Sequence, residues 1–407
     1  MKRLESVTTF RELIELVADE YGDRVAMQIR RRIRNEQYKY KDLPLIVNKI
    51  SNFLEKQGIG RDERIFVWGL NCPEYVLLLL AIFASRRVAV PIDFRTNNDT
   101  IEKIVEQTKP KAAFVSMLVD NKFVKSKFQK VFHLEELMDL VEQESPEYKI
   151  PKAKKGEDEK YCEILYTSGT TGVPKGVVMK ETNIIEMAKV AQNHIPKLKD
   201  YRTISMLPLS HVFEQILGTA VALSLGSSTT YLTRTNSAKM KKAMQDVKPT
   251  YMVFVPQLLS LFWQRIEQTA KSEGKMELIE KMMSLSAKLP NPIRKKIFKK
   301  VHANFGGSIE FIAVSGAPLN PDLAQKYVDM GFRILEVYGA TEILASNIND
   351  SKKYGLGHVG PAVETVDMKL DENKEIWIKS PYTTPGYFEN PEKNAETFKD
   401  GWYKTGD

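Results

Sequence analysis

The chain has 407 residues, 43% hydrophobic and 28% charged, with 60 Lys and Arg against 52 Asp and Glu and a net charge of +8. This composition excludes an intrinsically disordered or fibrous protein, and the length suits two or three domains of ~150 residues each around large apolar cores. The apolar run Val76 to Ala84 falls well short of the ~20 residues of a membrane span.

MKRLESVTTF carries basic residues with no apolar stretch behind them, so a secretory signal is not expected and a cytoplasmic location is. Thr9 is placed to cap a helix whose Phe10, Leu13, Ile14 and Val17 form one apolar stripe. Val25–Ile29 and Tyr38–Tyr40 flank the basic RRRIRNEQ and suit a β-hairpin with a charged tip. From Arg64 the pattern becomes strand, helix, strand: IFVWG, then Pro73 opening PEYVLLLLAIFAS, then VAVPI. Apolar strands alternating with helices of this length predict parallel strands covered on both faces, hence an α/β fold. The same texture returns at TYMVFV (Thr250 to Val255), FIAVSG (Phe311 to Gly316) and RILEVYG (Arg333 to Gly339). Residues 257–304 read as a long, lysine-rich helical stretch in which Ile293, Ile297 and Val301 recur every four residues, which would turn the lysines outward. Such a face is either simply solvated or attracts anionic lipid or a phosphorylated cofactor. After Gly355, short alternating segments such as EIWIKS predict a small antiparallel β-subdomain. Cys72 and Cys162 lack metal-ligand spacing and are read as buried or incidental thiols.

The most informative segment is EILYTSGTTGVPKGVVM, Glu163 to Met179. An apolar strand runs into Thr167, Ser168, Gly169, Thr170, Thr171 and Gly172, followed by Pro174, Lys175 and Gly176. Small residues let backbone N–H groups and hydroxyls converge, and Lys175 adds a mobile positive charge, a combination that suits phosphate. The spacing is not that of a Walker loop, because five residues after Gly169 stands Pro174. GLGHVG (Gly355 to Gly360) matches the dinucleotide fingerprint by letter but follows a polar segment and runs into Pro361, so no nucleotide loop is expected there.

YTSGTTGVPKG (Tyr166 to Gly176), LPLSHVFEQ (Leu207 to Gln215), SGAPL (Ser315 to Leu319), YGATE (Tyr338 to Glu342) and DGWYKTGD (Asp400 to Asp407) stand in the order and rough spacing of the adenylate-forming (AMP-binding) enzymes. The chain resembles that superfamily over essentially its whole length. LPLSHVFEQ, the helical insertion before Phe305 and FGGSIEFIAVSGAPL make it most similar to the long-chain fatty acyl-CoA synthetases. The resemblance implies two mostly parallel, helix-covered sheets plus a small antiparallel β-subdomain, divided at residues 1–185, 186–345 with the insertion 257–304, and 346–407. It implies ATP-dependent activation of a fatty carboxylate to acyl-AMP, then transfer to the thiol of CoA.

Joining two anions demands charge neutralisation and positioning. By resemblance the loop Thr167 to Lys175 grips the β- and γ-phosphates, Thr341 bonds the α-phosphate and Glu342 holds Mg²⁺, a hard cation that favours carboxylate oxygen. Tyr338 with Gly339 stacks on adenine opposite Gly316, Ala317 and Pro318, Asp407 binds the ribose hydroxyls, and His211 sits near the acyl carboxylate. Taken alone, Tyr-Gly-x-Thr-Glu reads as a strand-to-helix turn. Val212, Phe213, Ile216 and Leu217 suit either an acyl tunnel or the core. Lys374 replaces the glycine usual in the family's G-E-I motif, which affects only a turn.

The resemblance further leads one to expect a mobile C-terminal domain with a bridging lysine, absent from this chain, which would then be the N-terminal unit. Expected partners are fatty acid, ATP and CoA, with no nucleic acid; peripheral membrane contact and a homodimer stay open. Two other readings remain: a ligase that delivers its acyl group to a carrier protein, and a non-catalytic nucleotide- or lipid-binding module.

Overall fold

The computed structural model describes residues 4–31, 35–119, 121–149, 161–167, 174–232 and 237–407. Helix Phe10–Tyr21 starts at a capping box: Thr9 Oγ1 accepts from the Glu12 amide and the Glu12 carboxylate accepts from the Thr9 amide, both at 3.2 Å. Its Phe10, Leu13, Ile14 and Val17 are buried, as the stripe predicts. Val25–Arg30 and Asn35–Lys39 form the expected antiparallel pair, with the second strand opening earlier than the sequence suggests. Polar Asn35, Glu36 and Gln37 extend the ladder on an exposed edge, where only alternate side chains need burial. Arg31 beside the tip bridges Glu36 and the buried Glu74 at 2.8 and 2.6 Å, so it anchors the hairpin to helix Pro73–Ala84.

Four sheets organise the described residues. The first orders Val131–His133, Ala112–Val115, Arg64–Trp68, Val88–Ile92, Tyr161–Thr167 and Lys175–Lys180, parallel except for the last pair. Pro73–Ala84 crosses between two of its strands and is buried at every position, which is why its sequence is apolar all round. A second sheet sets Val25–Arg30 against Ser228–Tyr231 and Arg202–Ile204, so the N-terminal hairpin pairs with strands far along the chain. The third holds Tyr251–Phe254, Phe311–Val314 and Ile334–Tyr338 in parallel and closes with antiparallel Asn347–Asp350. The fourth is the small antiparallel sheet, Asp367–Leu370, Ile376–Lys379, Trp402–Lys404 and Phe398–Lys399. The α/β class and the late antiparallel sheet agree with the reading from sequence.

The stretch after Gln257 departs from one expectation. It forms helices Pro256–Ser272, Met276–Ser286, Asn291–Ile297 and Lys299–Asn304, so the four-residue recurrence does not run along one continuous cylinder. The break falls at Phe298, which takes the core position at 3% exposure, while Ile293 is 44% exposed. Phe298 thus faces the core while Ile293 faces outward.

One large core runs from Phe10 through the Pro73–Ala84 helix to Tyr251, Phe311 and Leu335. A second gathers Phe254, Trp263, Phe305, Tyr327 and Phe332 between the third sheet and the helical insertion. Leu258 packs against both. Cys72 and Cys162 are buried free thiols, and burial pushes both well above their ordinary range. Among the described residues no helix is long and apolar enough to cross a membrane.

Candidate active site

A cavity of about 1000 Å³ opens where the two cores meet. Its polar part is set by residues that leave parallel strands at their carboxyl ends: Asp93 after Val88–Ile92, Thr167 ending Tyr161–Thr167, Ser315 and Gly316 after Phe311–Val314, and Gly339 after Ile334–Tyr338. Open parallel sheets place ligands at these ends, where side chains and backbone amides converge without the next strand in the way. The rest is apolar: Met187 and Ala191 from helix Glu181–His194, then Val212, Phe213, Ile216 and Leu217. A small, wholly apolar pocket shares Ala191, Leu217, Val337 and Ile348 with this end and is closed by Tyr251 and Phe311.

Of the expected site residues, Thr167, His211, Gly316, Gly339 and Thr341 line this one cavity. Ala317 and Pro318 are exposed and lie outside its lining. Ser168, Gly169, Thr170, Thr171 and Gly172 fall outside the described residues. The segment around Gly339 is a turn between antiparallel neighbours, with Tyr338 paired to Asn347, and not the strand-to-helix turn that the letters suggest. Here only glycine fits: a Cβ on Gly339 would stand 1.8 Å from the Leu344 carbonyl oxygen. Gly316, at φ +87°, likewise needs the left-handed region.

The strand leading into the glycine-rich loop and the strand leaving it are antiparallel neighbours, so Thr167 faces Lys175 across the ladder. Lys175 therefore stands at the root of the loop. Its Nζ lies 5.6 Å from the centroid of the Tyr387 ring. The Tyr387 hydroxyl donates to Glu342 Oε1 at 2.8 Å, and burial together with the Glu342 charge raises its pKa, keeping it a donor. The outgoing strand is bonded on its other edge too: Phe388 N donates to the Gly176 carbonyl at 2.7 Å and Val178 N to the Gly386 carbonyl at 3.0 Å. One chain of contacts thus joins Lys175, Tyr387 and the buried Glu342. Tyr338 and Asp407 meet as well, the tyrosine hydroxyl donating to Asp407 Oδ2 at 2.5 Å.

His211 Nε2 stands 3.2 Å from Asp93 Oδ2, and Arg95 grips the same carboxylate through Nε at 2.9 Å and Nη2 at 2.6 Å. Although burial opposes it, the hydrogen bonds from Arg95 and His211 hold the Asp93 carboxyl well below the usual carboxylate range. This anion fixes the orientation of the imidazole. After His211 the chain enters a π-helical stretch, Glu214–Ala220, which pushes two polar side chains into the interior. Glu214 lies over Gly218, where a Cβ would approach its Oε1 to 2.7 Å, and accepts from Ser205 Oγ at 2.6 Å. Gln215 Nε2 donates to Glu163 Oε1 at 2.7 Å and to the Leu209 carbonyl at 2.9 Å. This pair ties the strand entering the glycine-rich loop to the segment bearing His211.

Burial pushes the Glu163 carboxyl from 4.5 up to about 8 against the opposing bond from Gln215, and burial likewise raises Glu214 to about 7. Such acids are protonated in the folded chain while the unfolded chain ionises, so their contribution is complete below about pH 4.5 and is lost as pH rises through 7 to 8. Glu163→Gln keeps the shape and the acceptor for Gln215 while removing the titration. We expect its Tm to fall less than the wild type's between about pH 5 and about pH 8, read by thermal melts. Parallel curves would mean that folding does not raise the pKa of Glu163.

Sequence reasoning overlooked Asp93, Arg95, Glu163, Gln215 and Tyr387. A signal existed for some of them: Gln215 is a polar residue inside the apolar run FEQIL, and Asp93 is the first acid after the apolar strand VAVPI.

The model of the family described as AMP-binding enzyme matches residues 14–388. Fatty acyl-CoA synthetase A of Dictyostelium discoideum is 26% identical over 424 residues, covering 90% of this chain and 62% of the relative. Long-chain-fatty-acid–CoA ligase 5 of Mus musculus is 27% identical over 433 residues, covering 92% and 62%. The chain thus spans somewhat under two thirds of the length of these relatives. Among solved structures, the N-terminal domain of FACL13 from Mycobacterium tuberculosis superposes with a TM-score of 0.79 at 17% identity, covering 98% of this chain and 96% of that one. O-succinylbenzoate Coenzyme A Synthetase (MenE) from Bacillus subtilis, in complex with AMP, gives 0.75 at 18% identity, covering 97% and 94%. The fold is therefore that of the N-terminal domains of adenylate-forming enzymes, and the chain belongs to the AMP-binding enzyme family.

Proposed function

We propose that this chain is the adenylating unit of a long-chain fatty acid–CoA ligase. The observation that carries the reading is a single cavity in which Thr167, Gly316, Gly339 and Thr341 at one part are continuous with the apolar lining of Met187, Ala191, Phe213, Ile216 and Leu217. Its volume of about 1000 Å³ stands at the upper end of small-molecule sites, enough for a nucleotide and an acyl chain together. The names of the long-chain relatives support the same acyl class.

In the first step a carboxylate oxygen of the fatty acid attacks the α-phosphorus of ATP, and the bond to pyrophosphate breaks as the new P–O bond forms. Thr341 hydrogen-bonds the α-phosphate, the loop Thr167 to Lys175 takes the departing phosphates, and Lys175 neutralises part of their charge. Held by Asp93, His211 orients the acyl carboxylate beside Thr341, which converts an encounter of two anions into a positioned attack. Tyr338 and Asp407 receive the adenosine. In the second step the CoA sulfur attacks the acyl carbon and AMP leaves with the electron pair of the broken mixed-anhydride bond. The buried Glu342 carboxylate, with only one oxygen engaged by Tyr387, suits Mg²⁺. Among the described residues no group of three or more Asp, Glu, His or Cys side chains is placed to hold a metal ion. When bound, the ion would neutralise phosphate charge.

The test is calorimetry with a palmitoyl-adenylate analogue whose phosphate is replaced by a sulfamoyl group, followed by assay with palmitate, ATP, Mg²⁺ and CoA. The analogue should bind far more tightly than ATP or palmitate alone, and absence of binding overturns the reading. With the full-length ligase, pyrophosphate without palmitoyl-CoA would redirect the acyl group to a carrier-protein thiol.

A further inference from the structure

We propose that the outward face of helix Met276–Ser286, with the lysines that follow it, docks on an anionic lipid bilayer. The helix divides cleanly. Met276, Ile279 and Met283 pack on the second core, whereas Leu278 and Leu285, seven residues apart and so on one stripe, are 54% and 69% exposed. Scattered exposed leucines are common on soluble proteins. Two on one stripe, with Ile293 exposed on the following helix, stand within the most basic part of the chain.

Residues 271–300 contain nine Lys and Arg against three Asp and Glu. Two of those acids are already neutralised, Glu273 by Lys275 and Glu277 by Lys281, each at 2.6 Å. Lys288, Lys296 and Lys299 are exposed and form no ion pair among the described residues. Exposed leucines in a segment that also carries unpaired lysines match a surface with an acyl interior and anionic headgroups: the side chains insert and the lysines stay at headgroup level. A second copy of the same face would bring like charges together, which disfavours self-association as the occupant. The helix Pro256–Ser272 leads from this face back to the cavity, where its Leu258 is a lining residue. The proposal does not rest on the reaction above, because it concerns binding alone.

The experiment is vesicle sedimentation of the full chain with phosphatidylcholine alone and with phosphatidylcholine containing about 30% phosphatidylglycerol. Binding should appear with the anionic vesicles, fall with added salt, and drop about fivefold or more in two variants, Leu278→Asp with Leu285→Asp and Lys288→Glu with Lys296→Glu and Lys299→Glu. All five positions are exposed, so melting temperatures should stay at the wild-type value. Equal binding to neutral vesicles, or undiminished binding by either variant, overturns the proposal. So does light scattering that shows a dimer which Leu278→Asp with Leu285→Asp dissolves.

Discussion

Glu342→Gln is expected to abolish the Mg²⁺ dependence of ATP binding and to weaken binding in the presence of Mg²⁺ by about 10²-fold or more, the loss typical of removing one key electrostatic group from an enclosed site. The substitution is chosen because the glutamine carbonyl still accepts from the Tyr387 hydroxyl, which contacts Glu342 Oε1 at 2.8 Å. Glu342→Ala would instead leave that buried hydroxyl without a partner, at a cost of about 1–3 kcal/mol, and confuse folding with function. Calorimetric titration of ATP with and without Mg²⁺, beside a thermal melt, separates the two. A Gln variant that melts like the wild type yet keeps its Mg²⁺ response would remove Glu342 from the ion site.

Filling the apolar end should change which acyl chain fits. Ala191 is 3% exposed and lies where the large cavity adjoins the small closed pocket. Ala191→Phe occupies roughly the volume of four methylenes, and at about 0.8 kcal/mol per buried methylene this displaces about 3 kcal/mol of acyl burial, or about 10²-fold in affinity. We expect the hexadecanoyl-adenylate analogue to lose that factor while the octanoyl analogue binds as before. Retained octanoyl binding also reports that the fold and the nucleotide end are intact. An equal loss for both chain lengths would place the acyl group elsewhere.

What was legible in the sequence follows from how each feature is encoded. Apolar runs such as IFVWG and VAVPI reveal buried parallel strands because both faces of the sheet are covered. Hydroxyl- and glycine-rich TSGTTG stands out because no core requires such residues. The contacts that organise the site around those motifs are of another kind. Glu163 meets Gln215 and His211 meets Asp93 across long stretches of chain, and no local period announces a pair made only by tertiary packing. The four-residue recurrence of Ile293, Ile297 and Val301 assumes one continuous helix, and the break at Phe298 is not announced by that spacing.

The strand Lys175–Lys180 is held along both edges, by Tyr161–Thr167 on one and by residues 386–388 on the other. A strand clasped in this way cannot shift its register without flipping every side chain to the opposite face. The position of Lys175 is therefore independent of the length of the loop before it. Residues added or removed between 168 and 174 change how far the loop reaches, while the ammonium group stays beside Tyr387. Reach and charge are separately adjustable, so the loop can be remodelled without rebuilding the floor beneath it.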